Sequence, residues 1–153
     1  MYFLGLQSTI NPNMPLRFLH YISNVYEAII ESKTLYSKKN VSIPWPEFFV
    51  LYNGQDPYPE YSILRLSDLY KNPQELGLPE KKSPFLDLQV KVLNINEGNN
   101  EEIVKRCRKL SEYTTFVAKY REYYKELENK EEAIKSAILN CSKHGILLLI
   151  NYD

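Results

Sequence analysis

The chain has 153 residues, 44% hydrophobic and 25% charged, which is the size and balance of one domain able to bury a core without disulfides or structural metal. Its 19 Lys plus Arg balance 19 Asp plus Glu, so it lacks the basic surplus of a dedicated non-specific nucleic-acid binder, although a local basic groove is not excluded. The two cysteines, Cys107 and Cys141, have no CxxC spacing and no nearby His pair, which argues against zinc and for reduced thiols in a cytoplasmic protein.

Tyr2 to Ile10 reads as a short strand that begins almost at the first residue. The cluster Asn11-Pro12-Asn13-Met14-Pro15 is a breaker followed by a helix start, with Asn13 the expected N-cap. Leu16, Leu19, Ile22, Tyr26, Ile29 and Ile30 recur at helical spacing and predict an amphipathic helix to about Ser32. Lys33 to Asn40 reads as a polar loop. Pro44-Trp45-Pro46 locks an extended entry into the apolar strand Glu47 to Tyr52, whose continuous hydrophobic run suggests cover on both faces. Asn53-Gly54 closes it with a turn.

Gln55 to Glu60 is loop, and Ile63 to Leu69 predicts a short edge strand. Lys71 to Pro84, with three prolines and Gly77, reads as loop. Leu86, Leu88, Val90 and Val92 alternate with more polar residues, as in a strand with one face in a core. Asn99 or Asn100 caps the next helix, whose apolar stripe runs from Ile103 through Cys107, Leu110, Tyr113, Val117, Tyr120 and Tyr124 to Leu127, with a break expected near Asn129. Ala133, Ile134, Ala137, Ile138 and Cys141 mark a final helix, ended by His144-Gly145. No apolar run reaches the ~20 residues of a membrane span, and no leader is visible. The 13 tyrosines suit partly covered surfaces, where the ring is buried and the hydroxyl finds a partner.

The most specific segment is Gln7-Ser8-Thr9-Ile10-Asn11-Pro12-Asn13-Met14-Pro15-Leu16-Arg17. It resembles the corresponding stretch of the recombination-promoting nuclease and transposase family, within the PD-(D/E)XK nuclease superfamily. Similar pieces follow in the same order: Pro46 to Gly54, Leu66-Ser67-Asp68, Val92 to Gly98, Cys107 to Leu110 with Tyr113, and Cys141 to Leu147. The resemblance implies an α/β fold, a truncated restriction-endonuclease-like mixed sheet with flanking helices, in one domain over residues 1–153 that lacks its amino-terminal helix and strands.

In that family an Asp on one strand, and an acidic residue two positions before a Lys or Gln on the next, hold Mg²⁺, a hard cation that takes oxygen ligands and activates water. The resemblance places Gln7 at the polar position and Gly5 at the acidic one. It places the Asp-bearing strand upstream of Met1. The expectation is therefore a Mg²⁺-dependent DNA endonuclease fold with no metal ligands and no cofactor in this chain, inactive alone, with Gln7 as the remnant of the catalytic motif. A lone amide supplies a few kcal/mol of barrier reduction at best, and phosphodiester hydrolysis needs far more. The alternative is a binding subunit that docks through the exposed edge of its first strand on a partner chain that supplies the missing strands.

Lys105, Arg108 and Lys109 share one face if their helix is continuous, and are the candidate DNA contacts; a solvated face beside Glu101, Glu102 and Glu112 is the plainer reading. Lys38-Lys39 and Lys81-Lys82 read as ordinary loop charges. His20 reads as a helix-surface residue, His144 as a helix-end stabiliser and Asp87 as solvent-facing. A relocated metal site using Asp68 or Asp87 has no support in the spacing. The apolar tail Leu147 to Asp153 is an association liability unless it pairs.

Overall fold

The computed structural model describes residues 1–30, 32–79 and 83–146; Lys81-Lys82 and the tail 147–153 lie outside them. The opening alternation forms β1 (Tyr2–Gln7). The breaker then turns the chain into α1 (Met14–Ile29), with Pro15 in its first turn where no amide bond is lost. Asn13 occupies the N-cap, but its side chain makes no capping bond; Asn11 Oδ1 instead accepts from the Asn13 amide at 3.0 Å. The expected loop after α1 contains one more helical turn, α2 (Ser32–Leu35).

The Pro-Trp-Pro segment leads into β2 (Glu47–Tyr52), followed by the edge strand β3 (Tyr61–Arg65). The predicted end of that strand is a 3₁₀ turn over Leu66–Leu69, and a second such turn, Pro73–Leu76, lies in the expected loop. β4 (Gln89–Asn94) completes a four-stranded mixed sheet in the order β1-β2-β4-β3. β1 runs parallel to β2, with Tyr2 beside Glu47 and Gln7 beside Tyr52. β3 is antiparallel to β4. The chain divides into two compact units, the first Met1–Leu93 and the second from Asn94 onward.

One sheet face of the first unit carries the core. Phe48, Val50, Tyr52, Val90 and Val92 project from it against Met14, Phe18 and Ile22 of α1. The other β2 face, with Glu47, Phe49 and Leu51, is only half-buried, so the continuous apolar run does not signal two fully covered faces. Its aliphatic and aromatic atoms are covered in part by Lys91, whose ammonium lies 5.1 Å above the Phe49 ring and 3.4 Å from Glu47. On α1 the buried side also differs from the expected stripe. Met14 and Phe18 anchor it, whereas Leu16 and Ile29 are exposed. The Phe18 ring meets Phe48 at 5.3 Å, tilted by 45°, and Phe48 meets Phe3 at the same distance. A large ring on α1 thus fills the sheet groove and leaves smaller apolar residues outside.

In the second unit the stripe predicted as one helix is interrupted. α3 (Glu101–Arg106) and α4 (Arg108–Leu127) meet at Cys107, whose backbone is extended. In a continuous helix Lys105 and Lys109 would be like charges one turn apart. Each side of the break keeps its own ion pair, Lys105 with Glu101 at 2.6 Å within α3 and Arg108 with Glu112 at 2.7 Å within α4. The predicted break near Asn129 is present: α5 (Lys130–Lys143) begins there, and the Asn129 side chain caps it by accepting from the Glu131 and Glu132 amides. Ala133, Ala137 and Cys141 form its buried stripe, and small residues let α4 and α5 approach as a helical hairpin.

Gly145, at φ 72°, ends α5. Ile146 N–H donates to Cys141 C=O and Gly145 N–H to Ser142 C=O, the paired bonds of a left-handed C-terminal cap. His144 Nδ1 donates to Asn140 C=O at 2.8 Å, so the helix-end reading of His144 holds. His20 is exposed on α1.

Tyrosine hydroxyls pin segments together, as the half-buried reading expects. Tyr26 donates to Pro44 C=O, Tyr52 to Asp56 C=O and Tyr70 to Leu86 C=O. Tyr123 accepts from Asn140 across the helical hairpin.

Candidate functional site

Gln7 is the last residue of β1. Its carbonyl accepts from Asn53 N–H at 2.9 Å, which fixes the strand end against the turn after β2. That turn requires Gly54: a Cβ there would run into the Tyr52 ring and the Ser8 carbonyl. The Gln7 side chain projects from the same sheet face as Gly5 and Phe3, the one α1 packs against, because side chains alternate along a strand.

Along the outer side of β1, between the strand and α1, runs an open cleft of about 560 Å³. Gly5, Gln7, Arg17, Tyr21 and Asn24 line it with Met14 and Phe18. Arg17 rests its guanidinium on Met14 Sδ at 3.5 Å and Tyr21 Oη at 3.3 Å, and no carboxylate pairs with it among the described residues. A Cβ at position 5 would sit 3.5 Å from both Met14 Cε and Phe18 Cζ, an ordinary contact against apolar atoms. The cleft therefore presents amide and phenol groups and one cation, and none of its lining residues is acidic. Such a donor set suits a phosphate or a backbone carbonyl. It does not suit Mg²⁺, which needs anionic oxygen ligands and would be repelled by Arg17.

The two aspartates considered as relocated ligands do not line the cleft. Asp87 is exposed, as expected from its alternation, and it has a structural task besides. Its Oδ1 accepts from the Ser67 and Leu88 amides, each at 2.9 Å, which ties the 3₁₀ turn to the start of β4. Desolvation pushes its pKa up, but these hydrogen bonds and the nearby Arg65 charge outweigh it and hold the carboxyl below its ordinary range. Asp68 is exposed on the 3₁₀ turn. Among the described residues, no three His, Cys, Asp or Glu side chains converge as a metal-binding group.

The basic cluster is not one helix face. Lys105 lies on α3, while Arg108 and Lys109 lie on α4 beyond the break. The hydrogen bond and charge of Glu101 raise the Lys105 pKa, and those of Lys105 lower the pKa of Glu101. Two of the three cations are thus held by neighbouring carboxylates, and Lys109 is exposed.

Sequence reasoning singled out Gln7 and Gly5 but missed Arg17, Tyr21 and Asn24. The signal was present in part: Arg17, Tyr21 and Asn24 fall three and four residues apart, one polar flank of α1. The molecule is a mixed α/β protein with an acid-free cleft at an open sheet edge. Compared with known proteins, the chain matches no family model, no curated protein and no solved structure. Among the described residues no helix is long and apolar enough to cross a membrane.

Proposed function

We propose that this chain is a cytoplasmic, non-catalytic relative of the metal-dependent DNA endonucleases associated with transposition, with the cleft beside β1 as the vestige of the active site. The observation that carries this reading is the lining of that cleft: Gln7 is present, Gly5 stands where a ligand carboxylate would be, and Arg17 occupies the adjacent helix face. The β1-α1-β2 unit, with parallel strands joined through a helix, supports it as the scaffold such a site requires. Arg17, Gln7 and Asn24 retain the means to touch a phosphodiester, while none of the residues that line the cleft is a carboxylate of the two-carboxylate metal clamp that drives hydrolysis. Lys105, Arg108 and Lys109 are the further proposed DNA contacts, of modest strength because Lys105 and Arg108 are already paired.

The test is incubation of pure protein with supercoiled plasmid and Mg²⁺ or Mn²⁺, with chelator and Gln7→Ala controls. The expected outcome is no nicking above the chelated control. Metal-dependent cutting that disappears in Gln7→Ala would refute the proposal.

The second reading, a binding subunit that accepts an added strand at β1, is favoured by a separate observation. β1 is at the end of the strand order, and Tyr2, Leu4 and Leu6 are exposed on it. Open edges recruit strands through main-chain bonds. The first reading places DNA in the cleft between β1 and α1; the second places a polypeptide strand along the free edge of β1.

A further inference from the structure

Among the described residues, β1 ends the strand order and leaves one of its sides without a neighbouring strand. Met1 C=O accepts from Glu47 N–H at 2.8 Å and Gln7 C=O from Asn53 N–H at 2.9 Å. Both backbone groups of a strand residue point to one side, and the side alternates along the strand. The odd-numbered residues therefore bond β2, and Tyr2, Leu4 and Leu6 turn their N–H and C=O outward. The same residues are 71%, 68% and 54% exposed. The strand sequence YFLGLQ contains no charge and no proline, so it lacks the devices that keep sheet edges from associating.

We propose that β1 pairs antiparallel with β1 of a second copy of this chain, about a two-fold axis through Leu4. This rests on the strand-docking reading and names its occupant. A two-fold axis across a sheet keeps each face on its own side, so opposed residues must have the same parity. Hydrogen bonding further requires the outward-turned residues to oppose one another, which any axis through a residue allows; the axes through Leu4 and Gly5, on either side of the middle of Tyr2–Gln7, pair the most residues.

Side-chain size decides between them. With the axis through Leu4, Leu4 meets the partner's Leu4 and Tyr2 meets the partner's Leu6, closing an apolar row on the outer face. On the inner face the partner's Phe3 lies opposite Gly5. An aromatic ring across from a strand glycine covers its bare backbone. With the axis through Gly5, two glycines face each other, Phe3 meets the partner's Gln7, and Tyr2 falls opposite the partner's Ser8, beyond the strand. The Leu4 axis pairs every outward backbone group of the strand with another of the same strand. The absence of charge along the edge means that no like-charge repulsion opposes the symmetric contact.

Sedimentation velocity on the full chain from about 1 to 100 µM tests this, with three variants. The wild type is expected to be dimeric at the upper end. Leu4→Pro removes an amide that points away from β2, which an edge strand tolerates. It is expected to keep the wild-type circular dichroism and melt while weakening the dimer at least about 100-fold. Leu4→Lys makes the same test by charge if the proline disturbs the fold. In a Cys107→Ser background, Leu4→Cys is expected to cross-link with a short bifunctional thiol reagent, because opposed hydrogen-bonded Cα atoms lie about 5.5 Å apart; Leu6→Cys, out of register with its own copy, is not. A wild type that stays monomeric, a dimer that survives both Leu4→Pro and Leu4→Lys, or cross-linking at Leu6 instead of Leu4 overturns the proposal. A monomer that binds a different polypeptide, with binding lost in Leu4→Pro, rejects the second copy and leaves strand docking intact; a monomer with no such partner rejects both.

Discussion

Gly5, Gln7 and Asp87 carry most of the functional argument, and each does so through its neighbours. Gly5 faces Met14 and Phe18, so a carboxylate at that position would begin among apolar atoms and find Arg17 as the nearest charge in the cleft lining. Asp87 shows how an exposed acid becomes structural. Its depressed pKa means that the folded state binds its proton more weakly than the unfolded chain does. Stability from this group is thus fully present above the unfolded pKa and is lost as pH falls through the lower folded value. Asp87→Asn is expected to lower the melting temperature at neutral pH and to flatten the acid limb of the stability profile below about pH 4; chemical denaturation across that range measures it. A variant whose acid limb matches the wild type would show that the two amide bonds contribute nothing. Asp87 was legible in the sequence only as outward-facing. Its partner Ser67 is 20 residues away, and no local pattern announces a bond of that range.

The elements were legible where one period dominates. β1, β2, β4, α1 and α5 follow from alternation, helical spacing and breakers, and their caps are largely local. What alternation and spacing do not report is which apolar residue wins the interior. On α1 the stripe through Leu16 and Ile29 is as regular as the one actually used, but the sheet groove takes rings and thioether in preference. Phe18→Ala is accordingly expected to cost about 3–5 kcal/mol, and Leu16→Ala about 0.5 kcal/mol or less, read by denaturant unfolding. Equal losses would mean that α1 is rotated from the arrangement described. The break at Cys107 was hidden for a related reason. No glycine or proline marks it, and the apolar spacing continues through it.

At the scale of the molecule, neutral net charge and an acid-free cleft point the same way. The first unit presents an uncharged strand edge, a half-buried outer face and a cleft with a single cation; none of the residues that line that cleft supplies the negative charge that a divalent ion requires. The sequence singled out Gly5 through the nuclease resemblance, which expects an acid two residues before Gln7. It did not reveal Arg17 as the cleft's charge, since that assignment needs α1 folded back over β1. The most direct measurement is a Mn²⁺ titration of the ¹⁵N-labelled chain by nuclear magnetic resonance, following the Gly5 and Gln7 backbone amides and the Gln7 side-chain amide. The account predicts no selective broadening of these signals relative to the rest of the molecule. Saturable broadening centred on Gly5 and Gln7, relieved by excess Mg²⁺, would contradict it.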